Sequence, residues 1–419
     1  MFKNGLVVFV GLAITKLLNL FCHIWITNHS SPDVYGVFSI AFVLVMFASN
    51  LCCLGLNQSL IKYLSSEGIN YVLKWSVLKV VRFSFFYTIL TSLLCVLILT
   101  LLSDWLSSFH DESRLRSTLI MAAMALPFMG ILILSTYLFR SQHVFWPEVL
   151  MRNFLRSLFF LLGLVVLSSL GLINQPFWIA SVFFLSFLLT AIFAACLPFY
   201  VFKIDSDQDH SKSFNQKSVI QYGLLTLVSL FFYEGLIATD KIILGYFATS
   251  EELGLYSGAS MLARQSEVAG IVIFTILSPK LASKVNLKDS IHSGVMSTTL
   301  VSVVFGIFGM ILLFFIRDYV LMIFGTEYVA MNREFIVICG GFLMLIITTP
   351  FSAALQFGNK ITYDNGILVF GFIFNLLASY FCIKNWGSMG AAIGTGISLS
   401  LVSILRILIY SIKMGKVKA

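Results

Sequence analysis

Apolar runs of about twenty residues, each long enough to cross a ~30 Å hydrocarbon core as a helix, recur from one end of this chain to the other. Few charges interrupt them. Of 419 residues, 59% are hydrophobic and 11% charged, against about 25% charged residues in soluble domains. Backbone in lipid must satisfy its own hydrogen bonds, which leaves helices and closed barrels. No alternating segments of about ten residues mark barrel strands, so the expected fold is an all-α polytopic membrane protein. Twelve transmembrane helices are expected, over 5–27, 34–57, 77–102, 117–139, 149–170, 176–202, 219–247, 253–278, 292–316, 334–357, 364–384 and 388–411. The first lacks a small-residue cleavage site and carries Lys16 mid-span, so it reads as a retained helix.

Lys and Arg set the orientation. With the N-terminus inside, nineteen of the 27 bases fall on inner loops and helix ends, five on the outer side and three within spans. That asymmetry puts both termini in the cytoplasm. It also accounts for the net charge of +8 without nucleic acid as a partner.

No loop has room for a soluble catalytic domain, so no enzyme is expected. The seven cysteines lie in apolar runs without a CxxC pair, and the six histidines show no metal-ligand spacing. No catalytic residue, metal or cofactor is expected. The most polar connection, Lys203 to Ser218, holds Asp205, Asp207 and Asp209 but lacks the glycine and closing glutamate of a calcium loop. It reads as a cytoplasmic linker, 204–218, between an N-terminal bundle, 1–203, and a C-terminal bundle, 219–419.

Those bundles resemble each other. Gly36, Phe38 and Ser39 match Gly254, Tyr256 and Ser257 at an offset of 218, and Phe139-Arg140-Ser-Gln142 matches Gln356-Phe357-Gly-Asn359 at 217. A duplication into two parallel six-helix halves follows, an arrangement common in transporters.

Six ionisable residues break the apolar spans: Lys16, Glu234, Asp240, Lys241, Arg264 and Glu267. A charge at the bilayer centre costs about 2.5–3.5 kcal/mol even on the lenient scale, so such residues face a cavity or a partner. The bases Lys16, Lys241 and Arg264 suit an anionic substrate, and the acids Glu234, Asp240 and Glu267 suit ion coupling or lining of the cavity. Mutual neutralisation that merely fixes helix register is the other reading. Glu234 and Lys241 share a helical face, and Arg264 and Glu267 have the i,i+3 spacing of an ion pair. Bases near the cytoplasmic mouth, among them Arg140, Arg152, Arg156, Lys280, Lys284 and Lys360, suit topology and anionic lipid or a pyrophosphate head group.

Several stretches resemble one family. Ser31-Pro-Asp-Val-Tyr-Gly-Val-Phe-Ser and Leu54-Gly-Leu-Asn57-Gln-Ser-Leu-Ile-Lys62 resemble the start of bacterial polysaccharide translocases. Thr239-Asp240-Lys241-Ile-Ile-Leu-Gly and Glu252-Leu-Gly-Leu-Tyr-Ser-Gly resemble their most recognisable stretch. Ser278-Pro279-Lys-Leu, Ile323-Phe-Gly325-Thr-Glu-Tyr328 and Trp386-Gly-Ser-Met-Gly390-Ala-Ala-Ile-Gly extend the likeness. The family is the O-antigen and capsule repeat-unit flippases (Wzx-type), within the multidrug/oligosaccharidyl-lipid/polysaccharide exporter superfamily. The resemblance implies two six-helix halves around a central cavity, with an undecaprenyl-pyrophosphate-linked oligosaccharide as substrate, flipped across the bacterial inner membrane by alternating access and coupled to a proton or cation gradient. It further implies a monomer working beside the O-antigen polymerase and chain-length machinery. A drug or cation antiporter of the same superfamily is the alternative; it would want acids without matching bases.

Overall fold

The computed structural model describes residues 2–64, 72–201, 203–205, 216–267, 288–357 and 360–413. Ser278-Pro279, Lys280, Lys284, Asp207 and Asp209 lie outside them. The described chain is helical apart from two three-residue strands. Eight of its helical stretches are long and apolar enough to cross a membrane. This is a multi-pass membrane protein. It divides into two compact units, Met1–Phe231 and Phe232–Ala419.

The first unit opens with α1 (Phe2–His29), α2 (Pro32–Cys52) and α3 (Leu56–Leu64). Ser31 starts α2: its hydroxyl accepts the Val34 N–H, and Pro32 takes the first-turn position where no N–H is needed. After α4 (Trp75–Phe109) come α5 (Ser113–Ala123) and α6 (Leu126–Ser141), separated just before Pro127, which cannot donate to the preceding turn. A π-helical run, Glu148–Leu155, leads into α7 (Arg156–Ser169), and α8 (Pro176–Val201) follows. An aromatic layer fills the centre, with the Phe183 ring 5.8 Å from Phe160 and 5.0 Å from Phe187.

Two short strands form where the sequence suggested only solvated connections. β1 (Val72–Lys74) and β2 (Lys203–Asp205) pair in parallel, Val72 opposite Lys203. Unpaired N–H and C=O groups near the membrane are costly, and the ladder satisfies some of them. The first turns of α9 (Gln216–Phe247) pack on α3: Ser59 donates to the Val219 carbonyl at 2.8 Å and Tyr63 to that of Ser218 at 3.2 Å.

The second unit continues from α9 through α10 (Ser250–Ala263), a 3-10 turn at Arg264–Ser266, α11 (Lys288–Met322), a second 3-10 turn at Thr326–Met331, α12 (Asn332–Phe357) and α13 (Ile361–Lys413). α13 is two helices joined at Gly387, whose φ of 54° and ψ of −133° are left to glycine. Its arms run antiparallel. A Cβ at Gly390 would stand 2.1 Å from the Cys382 carbonyl oxygen, so the arms meet backbone to backbone. The second arm begins under two carboxylates: Glu252 of α10 accepts the Ser388 N–H at 3.0 Å, and Glu334 of α12 accepts the Ser388 hydroxyl at 3.1 Å. Negative charge at a helix start is favourable. Leu300, Phe308 and Phe315 of α11 are exposed, as are Leu97 and Leu101 of α4. These apolar faces are the ones that meet lipid.

Candidate substrate-translocation site

α9 and α10 form a tight hairpin. The Thr249 hydroxyl caps α10 by accepting the Glu252 N–H at 3.2 Å, with only Ala248 and Thr249 between the helices. Residues at similar distances either side of Thr249 therefore face each other as rungs. Glu234 and Arg264 are fifteen residues before and after it.

That rung is an ion pair. Arg264 Nη2 donates to both oxygens of Glu234, at 3.0 and 3.1 Å. Its Nε donates to Glu267 at 3.2 Å. The pair at i,i+3 is favoured by the 3-10 turn at Arg264–Ser266, which eclipses side chains three apart. Tyr233 donates its hydroxyl to the other Glu267 oxygen. One guanidinium is thus held between two carboxylates, a geometry that suits its planar fork of donors. Glu234 turns to Arg264 and not to Lys241, although the face it shares with Lys241 allowed either.

Asp240 occupies the rung nearer the turn and is fully buried. Tyr256 donates to its Oδ2 at 2.6 Å, and the Lys241 backbone N–H donates to Oδ1 at 2.7 Å. Lys241 is half-buried, and among the described residues its ammonium makes no ion pair or hydrogen bond.

A polar thread ties α9 to both arms of α13. Asn375 donates to the Leu236 carbonyl at 2.6 Å and accepts from Ser379 at 2.9 Å and Ser398 at 3.1 Å. Thr395, buried on the second arm, stands beside Asp240 and Tyr256. In a low-dielectric interior the hydrogen bonds of Asn375 fix one arrangement of these helices.

A second charge cluster lies elsewhere in the unit and was not expected. Arg406 donates to Asp364 at 2.9 Å, and Ser352 and Gln356 each donate to the other Asp364 oxygen at 3.0 Å. Arg406 is one of the nineteen bases that the sequence places on inner loops and helix ends. It is buried, and pinned by a fully buried carboxylate. This cluster joins α12 to the two arms of α13.

Lys16 belongs to the first unit: it is on α1, half-buried, one turn before Asn19, which accepts from Arg156. The structure brings Glu234, Arg264 and Glu267 into one cluster, with Asp240 and Lys241 two turns along α9. Sequence reasoning missed Tyr233, Asn375 and the Asp364–Arg406 pair. Counting outward from the α9–α10 turn finds the first, while the other two are fixed by the fold of α13 at Gly387.

The motifs also meet around α10. Gly258 faces the Tyr328 ring, which a Cβ would approach to 2.4 Å. Glu252 reaches the Gly387-Ser388 kink, and Tyr256 reaches Asp240.

Residues 1–284 match the model of one protein family, described as polysaccharide biosynthesis protein. The chain belongs to that family. Among curated proteins, the probable low-salt glycan biosynthesis flippase Agl15 of Haloferax volcanii is 22% identical over 200 residues. That match spans 46% of this chain and 41% of the relative's length. Solved structures extend the likeness across the whole polysaccharide biosynthesis chain. Lipid II flippase MurJ, in an inward closed conformation, superposes with a TM-score of 0.76 at 14% identity, over 97% of this chain and 87% of that one. A multidrug resistance MATE family transporter of the MOP superfamily, inward-facing, gives 0.75 at 12% identity, over 99% and 100%. Identities this low establish the fold and nothing more specific.

Proposed function

We propose that this protein flips a lipid-linked oligosaccharide between the leaflets of the bacterial inner membrane. Its substrate is an undecaprenyl-pyrophosphate-linked repeat unit of O-antigen or capsule, moved from the cytoplasmic to the periplasmic side. The observation that carries the reading is the charge cluster of α9 and α10, set inside apolar helices of a polysaccharide biosynthesis family chain. A sugar with many hydroxyls cannot enter hydrocarbon unaided, because each unpaired polar group costs several kcal/mol. Fixed charges that keep a path hydrated remove that barrier, and such residues mark substrate pathways in membrane proteins.

The residues divide the work. Lys241 makes no ion pair among the described residues and is the foremost contact for the anionic head group. Arg264 supports it from between Glu234 and Glu267, and Lys16 acts from α1. In the second unit three acids, Glu234, Asp240 and Glu267, stand against two bases, Lys241 and Arg264. A proton or cation that neutralises the excess negative charge would couple transport to an ion gradient.

Two six-helix halves moving by alternating access around a central cavity complete the reading. At an offset of 218, Ser31 and Thr249 both cap a helix with a side-chain oxygen, and Phe38 and Tyr256 are both fully buried. On this reading the two arms of α13, either side of Gly387, serve as the last two of twelve spans. Both termini then lie in the cytoplasm, and the protein acts as a monomer beside the O-antigen polymerase and chain-length machinery.

Complementation tests it. A strain lacking its own O-antigen flippase, but still assembling the repeat unit, should regain long-chain surface polysaccharide and lose the accumulated lipid-linked unit. Persistent accumulation, with the protein inserted and the repeat unit matched, would shift weight to a drug or cation antiporter.

A further inference from the structure

We infer that the π-helical run of the first unit carries a separate docking site for a pyrophosphate head group, built from Arg140, Arg152 and Arg156. The inference rests on the flippase reading for its substrate and on independent geometry for its place.

π-Turns are rare and concentrate at functional sites. Here the Arg156 N–H bonds to the Met151 carbonyl, five residues back. The wider turn ends where α7 begins, and Arg152 within it and Arg156 just after it sit on a segment otherwise fit to cross the membrane. Arg152 Nη1 is 3.8 Å from Glu148, and Arg140 of α6 approaches the same carboxylate at 3.6 Å. Both distances are too long for a hydrogen bond. Glu148 offsets charge without engaging the donors. The two guanidinium centres lie 5.5 and 5.9 Å from the centroid of one ring, Tyr137, which supports both by cation–π contact. Their side chains remain 41% and 37% exposed.

Arg156 continues the site. It is half-buried over the Phe187 ring at 5.3 Å, donates to Asn19 and Ser157, and lies within electrostatic reach of Arg152. Among the described residues it makes no ion pair. Among the described residues, three guanidinium groups face one carboxylate, an excess of two positive charges around the π-helical run. Uncompensated charge of that kind is expensive and calls for a counter-ion. A pyrophosphate diester carries two negative charges and several acceptors, which match fork-shaped donors. A phosphodiester lipid such as phosphatidylglycerol supplies one charge and fewer acceptors. The run lies at the end of the first unit that the Lys and Arg distribution assigns to the cytoplasm, where the substrate enters.

The test uses the full chain in detergent and measures binding of undecaprenyl pyrophosphate, phosphatidylglycerol, cardiolipin and inorganic pyrophosphate by native mass spectrometry. Undecaprenyl pyrophosphate should bind in preference to both phospholipids, and inorganic pyrophosphate should compete with it. Arg152→Gln should weaken that binding at least tenfold. Glu148→Gln should strengthen it severalfold, because the variant removes the competing carboxylate. Arg140→Gln, at an exposed position, repeats the weakening should Arg152→Gln fail to fold. Unchanged binding in all three variants would overturn the site while leaving the flippase reading intact. Equal losses for phosphatidylglycerol or cardiolipin would reduce the site to anionic-lipid contact and also overturn it. Failure of wild-type protein both to bind undecaprenyl pyrophosphate and to complement would instead reject the flippase reading itself.

Discussion

The two ion clusters of the second unit share their chemistry and differ in burial, so one comparison separates a structural role from a functional one. Arg406 and Asp364 are 8% and 0% exposed, whereas Arg264 and Glu234 are 30% and 32% exposed and Glu267 16%. Removing one member of a fully buried pair strands the other and costs about 3–5 kcal/mol. Arg406→Met should show that loss. The Asp364→Leu, Arg406→Met double variant should recover most of it, since an apolar pair of similar volume is often neutral in such a site. Arg264→Met strands carboxylates that are partly exposed, so its cost should fall between that and the ~0.2–1 kcal/mol of exposed pairs, at roughly 1–2 kcal/mol. Export should rank the other way: Arg264→Met abolishes it in protein that is folded and inserted, and the Asp364/Arg406 double variant retains it. Unfolding of the full chain by titrated dodecyl sulfate, followed by tryptophan fluorescence, gives the energies; surface polysaccharide gives the export. An Arg264→Met variant as unstable as Arg406→Met, or one that still exports, would refute the assignment of the α9–α10 cluster to transport.

Other positions give sharper single outcomes. Lys241→Ala should abolish export while changing stability by no more than about 1 kcal/mol, because among the described residues its ammonium makes no ion pair or hydrogen bond; the same two assays check it. Asn375→Leu should cost roughly 1–3 kcal/mol for a buried polar partner left unsatisfied, Ser379 foremost because Ser398 also donates to the Gly394 carbonyl, seen as an earlier unfolding midpoint. Gly390→Val must push a side chain into the Cys382 carbonyl and should eliminate monodisperse protein on size-exclusion chromatography of membrane extracts. Arg114→Ala, which removes contacts to Asp33 at 2.8 Å and Glu112 at 2.7 Å with Arg114 itself 42% exposed, should cost at most about 1 kcal/mol in the same unfolding assay.

Much of this was legible in the chain. Apolar length alone forced a polytopic helical fold, and the charges within helices singled out α9 and α10 because lipid tolerates so few of them. The Arg264–Glu267 pair could be read from spacing, since it is local. Its second partner could not be read from helical periodicity, because Glu234 faces both Lys241 along its own helix and Arg264 across the turn. The rung pattern about Thr249 settles that choice only once the turn is known to be two residues long. The partner of Arg406 was hidden for a related reason. Charge counting treats a base near a helix end as a surface feature, whereas the hairpin at Gly387 brings Asp364 back beside it over 42 positions. The strands β1 and β2 escaped notice because three-residue ladders carry no periodic signal.

The most direct measurement is transbilayer movement itself. Purified protein would be reconstituted into liposomes holding a lipid-linked repeat unit in both leaflets, with an ion gradient across the membrane. Externally added, membrane-impermeant periodate would then oxidise whatever sugar it can reach. With wild-type protein the lumenal-leaflet pool should become accessible, and with Lys241→Ala or Arg264→Met it should remain protected. Protection of that pool with correctly folded wild-type protein, or equal access with either variant, would contradict the account.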